Sequence, residues 1–308
     1  MVDRLSGLVE DAPDFPIPPC SPGSLCQNAR FPAMSEHFRA FSFVDRILAD
    51  ETGKHISGRY AIPAEIGEFP LSLVSEAIGQ LAAWSSMAAT GFEVRPVAGI
   101  AGRVEFTGSV KPGDVLDLEA TLVKADLEAV GYDGLARVNG ETVVRLLDTL
   151  GPMVPMVDFD DPAAVRARYE LLTSTGAEPF AFGGVPAMNT EKTGGIPGES
   201  SEGVLRVPEN AAFFGDHFPR NPVFPGTLLM NLKLGFALGL ANEIGDPSSW
   251  RPAAACDVKL RSFMPPGEVL DLKAEVESHD GDFLRVIVTT RKGKRLNSSA
   301  KFELVRSN

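Results

Sequence analysis

Two long apolar runs, one in each half of the chain, dominate the pattern of hydrophobic and polar positions. Residues 71–88 and 227–243 are rich in Leu, Ala, Met and Gly and are apolar on nearly all sides. Such a pattern is typical of a buried helix rather than a surface helix. Each run follows a proline, Pro70 or Pro225, and proline suits the start of a helix. The sequence therefore predicts two buried central helices.

Segments that alternate between apolar and polar residues surround both runs and predict strands. In the first half they are FSFVDRIL (41–48), GRVEFTGSV (102–110), VLDLEATLVKA (115–125) and TVVRLLD (142–148). In the second half they are the less regular FAFGGVPAM (180–188), DVKLRSFM (257–264), VLDLKAEVES (269–278) and FLRVIVTTRK (283–292). A long helix wrapped by an antiparallel sheet is the expected arrangement, an α+β fold.

The two halves are copies of one pattern. SVKPGDVLDL (109–118) returns as FMPPGEVLDL (263–272), and the paired prolines of these turns are 154 positions apart. Pro70 and Pro225 are 155 positions apart, and such a constant offset indicates a duplicated domain. We expect an N-terminal extension, a first domain, a linker helix in DDPAAVRARYELLTST and a second domain, at residues 1–35, 36–158, 159–179 and 180–308.

Composition and charge narrow the classes of function. The chain has 308 residues and a net charge of −12, which disfavours nucleic acid as a partner. No apolar run reaches the roughly 18 residues of a membrane span, and the first residues do not resemble a secretory signal. The cysteines, Cys20, Cys26 and Cys256, lack the spacing of a zinc site or a disulfide framework. We therefore expect a cytoplasmic protein without a bound metal.

Several motifs together resemble one enzyme family. GDHFPRNPVFPG (215–226), preceded by VPENAAFF, resembles the signature loop of the hotdog-fold 3-hydroxyacyl-acyl-carrier-protein dehydratases of fatty acid synthesis. SEAIGQ (75–80) and VKPGDVLDLEA (110–120) are also similar to that family. The resemblance implies a double hotdog, a pseudo-dimer within one chain. In the family, each active site takes a histidine from one hotdog and a carboxylate from the central helix of the other.

The two halves retain complementary parts of that site. The family carboxylate lies fourteen residues after the histidine, and the residue fourteen positions after His217 is Asn231. Matching Pro70 to Pro225 aligns Glu76 with Asn231, so Glu76 takes the place of the family carboxylate. The first half has no histidine loop, because Pro63 to Pro70 spans 7 positions where Pro208 to Pro225 spans 17. The resemblance therefore implies one complete site per chain.

The resemblance also implies roles for these residues. His217 removes a proton next to the thioester carbonyl, and Glu76, supported by Gln80, protonates the departing hydroxyl. The backbone N–H of Gly226 stabilises the enolate, the Val223 carbonyl fixes the tautomer of His217, and Phe218 and Pro225 contact the substrate. The chemistry needs no cofactor and no metal. We expect His37, His55, His279, Glu65 and Glu68 to be solvated surface residues.

The expected substrate carrier is an acyl carrier protein or coenzyme A. An acidic carrier protein requires a local cationic surface, for which the candidates are Arg220, Lys233, Lys259 and Arg261. The sequence leaves open the acyl chain length, a fatty acid or polyketide-type product, and further homo-oligomerisation. It also leaves open three alternative functions: an acyl-thioester hydrolase, a dehydratase–isomerase, and a non-catalytic acyl-binding protein. The related isomerising family generally has Asp at the position of Glu76.

Overall fold

The computed structural model describes residues 37–188, 190–244 and 250–306. Its strands are β1 Arg46–Glu51, β2 His55–Ala61, β3 Val94–Pro96, β4 Ile100–Phe106, β5 Val115–Ala125, β6 Ala129–Val138, β7 Glu141–Pro155, β8 Thr190–Ile196, β9 Ser200–Arg206, β10 Trp250–Leu260, β11 Val269–Asp280, β12 Phe283–Lys292 and β13 Arg295–Arg306. Its helices are α1 Leu71–Ala89, α2 Met156–Phe159, α3 Pro162–Thr173 and α4 Gly226–Ala241. The expected N-terminal extension, with Cys20 and Cys26, lies outside the described residues.

Both predicted central helices are present. Helix α1 begins directly after Pro70 and helix α4 directly after Pro225. Neither proline interrupts the helical hydrogen bonds, because each lies at the N-cap. Helix α1 packs mainly on β5 and β6, helix α4 packs mainly on β10 and β12, and the two helices also contact each other.

A continuous antiparallel sheet surrounds the helices, as predicted. Its strand order is β1-β2-β5-β6-β7-β4-β10-β13-β12-β11-β9-β8, and β3 pairs with β7. The order from β1 to β4 is repeated in reverse from β10 to β8, with β10 in the place of β4 and β13 in the place of β7. Strands β4 and β10 pair at the centre, for example Ala255 with Val104. The topology thus repeats the duplication seen in the sequence.

Two predicted strands are corrected. In FSFVDRIL the strand begins only at Arg46, while Phe41 and Phe43 precede it in an irregular segment and fill the core. FAFGGVPAM forms no strand, and the edge strand of the second half is β8 at residues 190–196. Two consecutive glycines and a proline disfavour a strand there, yet Phe182 is buried against the first half.

The predicted linker helix is present as α3. Pro162 occupies its first turn, and the side chain of Asp161 accepts a hydrogen bond from the Ala163 N–H at 3.2 Å. This is an ordinary N-cap. Helix α3 contacts β1.

The two halves differ most in the segment that leads into each central helix. Residues 62–70 link β2 to α1, whereas the longer segment 207–225 links β9 to α4 and includes a 3₁₀ helix at Ala212–Gly215. His217 lies on this longer segment. No helix in the described ranges combines the length and apolar character that crossing a bilayer requires.

Candidate active site

A cavity of about 240 Å³ lies between the two central helices and the inner face of the sheet. Both halves of the chain form its wall. Helix α1 contributes the face that carries Glu76, Gln80 and Trp84, and the second half contributes His217 and the first turn of α4. The cavity thus brings together His217 and Glu76, which are 141 positions apart in the sequence.

Hydrogen bonds and packing fix the His217 ring. Its Nδ1 lies 2.8 Å from the Val223 carbonyl oxygen. Because a carbonyl only accepts hydrogen bonds, Nδ1 donates the proton, and Nε2 is left with a free lone pair. The edge of the ring contacts Phe41, with centroids 5.8 Å apart. Burial lowers the pKa of His217 below its usual range, so the imidazole is neutral at neutral pH.

Both oxygens of Glu76 have side-chain partners. Gln80 Nε2 donates to Oε1 at 3.0 Å from the next turn of α1. Thr227 Oγ1 donates to Oε2 at 2.6 Å from the first turn of α4, in the other half. The carboxyl group is therefore held between the two helices. The sequence predicted the support from Gln80 but not the contact with Thr227.

Gln80 has further partners that fix its amide. The Phe43 N–H donates to Oε1 at 2.8 Å, and Nε2 also donates to the Phe41 carbonyl at 2.9 Å. The side chain therefore joins Glu76 to the segment that contacts the His217 ring. This positions the carboxylate and the histidine relative to each other.

Gly226 is the first residue of α4 and lines the cavity. Its N–H belongs to the first turn of the helix, where backbone donors have no partner within the helix. A Cβ at this position would lie 2.4 Å from Leu260 Cδ1 and 3.6 Å from Ala98 Cβ. A larger residue at this position would therefore require the Leu260 side chain on β10 to move.

Of the remaining predicted contact residues, Phe218 and Val223 adjoin the histidine, whereas Pro225 does not line the cavity. Phe218 lines the cavity, and Val223 packs with it in a small buried cluster. Pro225 forms the N-cap of α4.

Sequence reasoning missed a group of charged residues beside His217. Arg95, on β3, places its guanidinium carbon 3.8 Å from the centroid of the Phe218 ring and donates to Asp160 at 3.0 Å. His37 Nε2 also lies 3.3 Å from Asp160, so reading His37 as a solvated surface residue was wrong. Burial raises the pKa of Asp160, but the hydrogen bond from His37 and the charge of Arg95 outweigh it and lower the pKa.

Asp216, next to His217, holds the segment that covers the site. Its carboxylate accepts hydrogen bonds from the backbone N–H of Phe38 and, at 2.6 Å, of Phe41. Burial raises its pKa to about 6, even though these hydrogen bonds lower it. Only tertiary structure brings residues 38–41 to this loop, and no local pattern in the sequence indicates the contact.

One residue of the expected cationic surface was misplaced. Lys233 lies in the core, fully buried, and its Nζ donates to Ser298 Oγ at 2.9 Å. Burial lowers its pKa to about 7. Arg220 is exposed and donates to the Val157 carbonyl at 2.9 Å, while Lys259 and Arg261 are half-buried. As expected, His55, His279, Glu65 and Glu68 are exposed.

Known proteins are similar to this chain in the segment that carries His217 and in the overall fold. A family model described as ApeI-like, the ApeI dehydratase, matches residues 196–299, a range that contains His217. A 3-hydroxyacyl-acyl-carrier-protein dehydratase FabZ of Levilactobacillus brevis is 31% identical over 111 residues, which cover 35% of this chain and 75% of that protein. The FabZ of Lactiplantibacillus plantarum is 37% identical over 82 residues, or 26% and 56% of the two chains.

A solved structure shares the fold over most of the chain. A putative oleoyl thioesterase from Lactobacillus plantarum superposes with a TM-score of 0.55 at 10% identity, covering 84% of this chain and 98% of that one. At this identity the likeness concerns the fold alone.

Proposed function

Because the chain belongs to the hotdog-fold dehydratase family that includes the 3-hydroxyacyl-acyl-carrier-protein dehydratases, we propose that it converts 3-hydroxyacyl thioesters to trans-2-enoyl thioesters. The observation that carries this proposal is the meeting of His217 and Glu76 in one cavity. Each residue comes from a different half of the chain, as the family's site requires.

The architecture is interpreted as two fused hotdog domains, at residues 36–158 and 180–308, joined by the linker at 159–179. In this interpretation only one composite site is complete. On α4, Asn231 stands where α1 has Glu76, and the short segment 62–70 contains no histidine.

In the proposed reaction, His217 Nε2 takes the proton from C2 of the substrate. The electrons of that C–H bond form the C2–C3 double bond, and the C3–O bond breaks. The proton of the Glu76 carboxyl group passes to the departing oxygen, which leaves as water. The lowered pKa of His217 suits this role, because the imidazole must be neutral to accept the proton.

The negative charge that develops on the thioester oxygen needs donors fixed in advance. The first-turn N–H groups of α4, including that of Gly226, supply them at the positive end of the helix dipole. The carrier in this proposal is an acyl carrier protein or coenzyme A. Arg220, exposed beside the His217 segment, is the strongest remaining candidate for a cationic contact with an acidic carrier.

One assay tests the proposal against a hydrolase. The purified chain is mixed with 3-hydroxyacyl thioesters of several chain lengths, and both enoyl absorbance and free thiol are followed. Enoyl formation without free thiol supports dehydration. Release of free thiol without enoyl product would identify a thioesterase, and inactivity with every thioester would contradict both enzymatic functions.

A single composite site predicts one labelled residue per chain. An acetylenic thioester that alkylates the active-site histidine should modify His217 at a stoichiometry of one, because His217 is the only histidine among the described residues that lines the cavity. Peptide mass spectrometry checks the site and the stoichiometry. Modification at two positions, or at a histidine other than His217, would contradict the composite site.

Thr227 is expected to act as a positioning residue for Glu76. Thr227→Val removes the donor to Glu76 Oε2, whereas Thr227→Ser keeps it. We expect the valine variant to lose about tenfold in kcat with little change in KM, because an intramolecular hydrogen bond contributes up to roughly 1.5 kcal/mol. The serine variant should retain activity. A loss in the serine variant with full activity in the valine variant would mean that the methyl group, not the hydroxyl, matters.

A further inference from the structure

The wall of the cavity is mostly apolar, and two of the hydroxyl groups that line it lie on neighbouring strands of the sheet. Tyr132 on β6 and Thr149 on β7 both line the cavity, among residues such as Phe106 and Leu146. The two are directly opposite each other across the paired strands. Residues opposite each other in an antiparallel pair point to the same face of the sheet. Their hydroxyls therefore form one polar patch on the inner face.

One hydroxyl of this patch lacks a hydrogen-bond partner among the described residues. Thr149 Oγ1 is buried, and no described residue forms a hydrogen bond with it. The Tyr132 hydroxyl lies over helix α1, 3.1 Å from the position that a Cβ on Gly79 would occupy. Buried hydroxyls are normally hydrogen-bonded, and leaving one unpaired is unfavourable. Phenylalanine and valine would fill the same volumes without that cost. A polar group on a bound molecule would give these hydroxyls a partner.

The position of the patch relative to Glu76 indicates where that polar group lies. Gly79 follows Glu76 by three residues, a rise of about 4.5 Å along the helix. If the hydroxyl on C3 of the substrate contacts Glu76, the next carbons of the acyl chain pass the level of Tyr132. An oxygen on C5 would then lie within reach of a hydrogen bond.

We propose that Tyr132 and Thr149 form a subsite for an oxygen on the acyl chain. This inference rests on the proposed function and specifies its substrate class, which is 3-hydroxyacyl thioesters that carry a hydroxyl or carbonyl group on C5. Such oxygens on alternate carbons arise when a preceding round of two-carbon extension stops at the ketone or alcohol. A plain hydrocarbon chain would remove both hydroxyls from water without offering them a partner.

Matched substrates test the subsite. The full chain is assayed with 3-hydroxyoctanoyl and 3,5-dihydroxyoctanoyl thioesters of the same carrier, and kcat/KM is compared. We expect the dihydroxy substrate to be used about tenfold better, the upper range for one net hydrogen bond. Equal or better use of the plain substrate would overturn the subsite and leave the proposed dehydratase function intact. Inactivity with both substrates would instead contradict the function itself.

Two variants test whether a preference for the dihydroxy substrate depends on Tyr132 and Thr149. In Tyr132→Phe and in Thr149→Val the ratio of the two kcat/KM values should fall toward one. Tyr169→Phe is the control, because the Tyr169 hydroxyl bonds Asp50 outside the cavity, and the ratio should stay as in the unaltered protein. Should one variant fail to fold, the other still tests the subsite. If both variants lower kcat/KM by the same factor for the two substrates, the hydroxyls serve the reacting centre or the fold, and the proposal is wrong.

Discussion

Replacing His217 with alanine or Glu76 with glutamine is expected to lower turnover by roughly 10² to 10⁴, the range for losing a general base or a general acid. The two side chains line the same cavity and act on adjacent carbons of the substrate in the proposed reaction. The double variant should therefore be scarcely slower than either single variant, because residues that act as a unit have non-additive effects. Steady-state kinetics with a 3-hydroxyacyl thioester measures the turnover of the two single variants and of the double variant.

Matched controls separate chemistry from folding. His55→Ala and Glu65→Gln make the same substitutions at exposed positions outside the cavity, and both should leave turnover unchanged. The thermal midpoint of Glu76→Gln should also change little, since glutamine keeps the volume and can still bond Gln80 and Thr227. A fully active Glu76→Gln enzyme would show that the carboxyl group is not the acid. Multiplicative losses in the double variant would show that the two residues act separately.

The central helices were predictable because their cause is local, whereas the pairing of Glu76 with His217 was expected only from the resemblance to the dehydratase family. A run of apolar residues after a proline defines a buried helix wherever it occurs, and a glutamate inside such a run is conspicuous. The 155-residue offset between Pro70 and Pro225 then aligned the two halves. By contrast, no local pattern distinguishes Thr227 from any other hydroxyl residue in a first helical turn. Its contact with Glu76 depends on how α1 and α4 cross.

The charged group beside His217 was missed for a similar reason. Asp160, Arg95 and His37 lie far apart in the sequence and meet only because β3 pairs with β7 and the chain then turns into α3. In FAFGGVPAM, by contrast, the sequence predicted a strand that the structure does not contain. Its aromatic residues resemble a strand, yet Phe182 reaches the core from an irregular segment, so burial of an aromatic ring does not require a strand.

The prediction that Lys233 lies on the surface was wrong, because Lys233 is fully buried in the core. Lys233 was predicted to belong to the cationic surface that an acidic carrier requires, in line with the rule that lysine is almost never fully buried. Yet Lys233 lies within the run 227–243, which is apolar on nearly all sides. Its amine bonds Ser298, which lies 2.6 Å from Thr290 Oγ1, and no described carboxylate forms an ion pair with it. An uncompensated buried ammonium is strongly disfavoured.

The burial of Lys233 predicts how stability depends on pH. Burial lowers its pKa from 10.5 to about 7, so between these values the unfolded chain binds a proton that the folded chain does not. The contribution of Lys233 to the free energy of unfolding therefore rises with pH across this window and is lowest below pH 7. The difference is on the order of 5 kcal/mol, since each pKa unit corresponds to about 1.4 kcal/mol.

Lys233→Met should remove this dependence, because methionine keeps most of the volume and has no charge. We expect the variant to be more stable than the unaltered protein at pH 7, with the difference shrinking toward pH 10. Urea unfolding at pH 7 and pH 9.5 measures both effects, and Lys294→Met, a change at an exposed lysine, is the matched control. Subtracting the control removes the titration of all other groups from the comparison. If Lys233→Met retains the full pH dependence, the amine stays protonated in the folded state, and its single hydroxyl contact cannot be its whole environment.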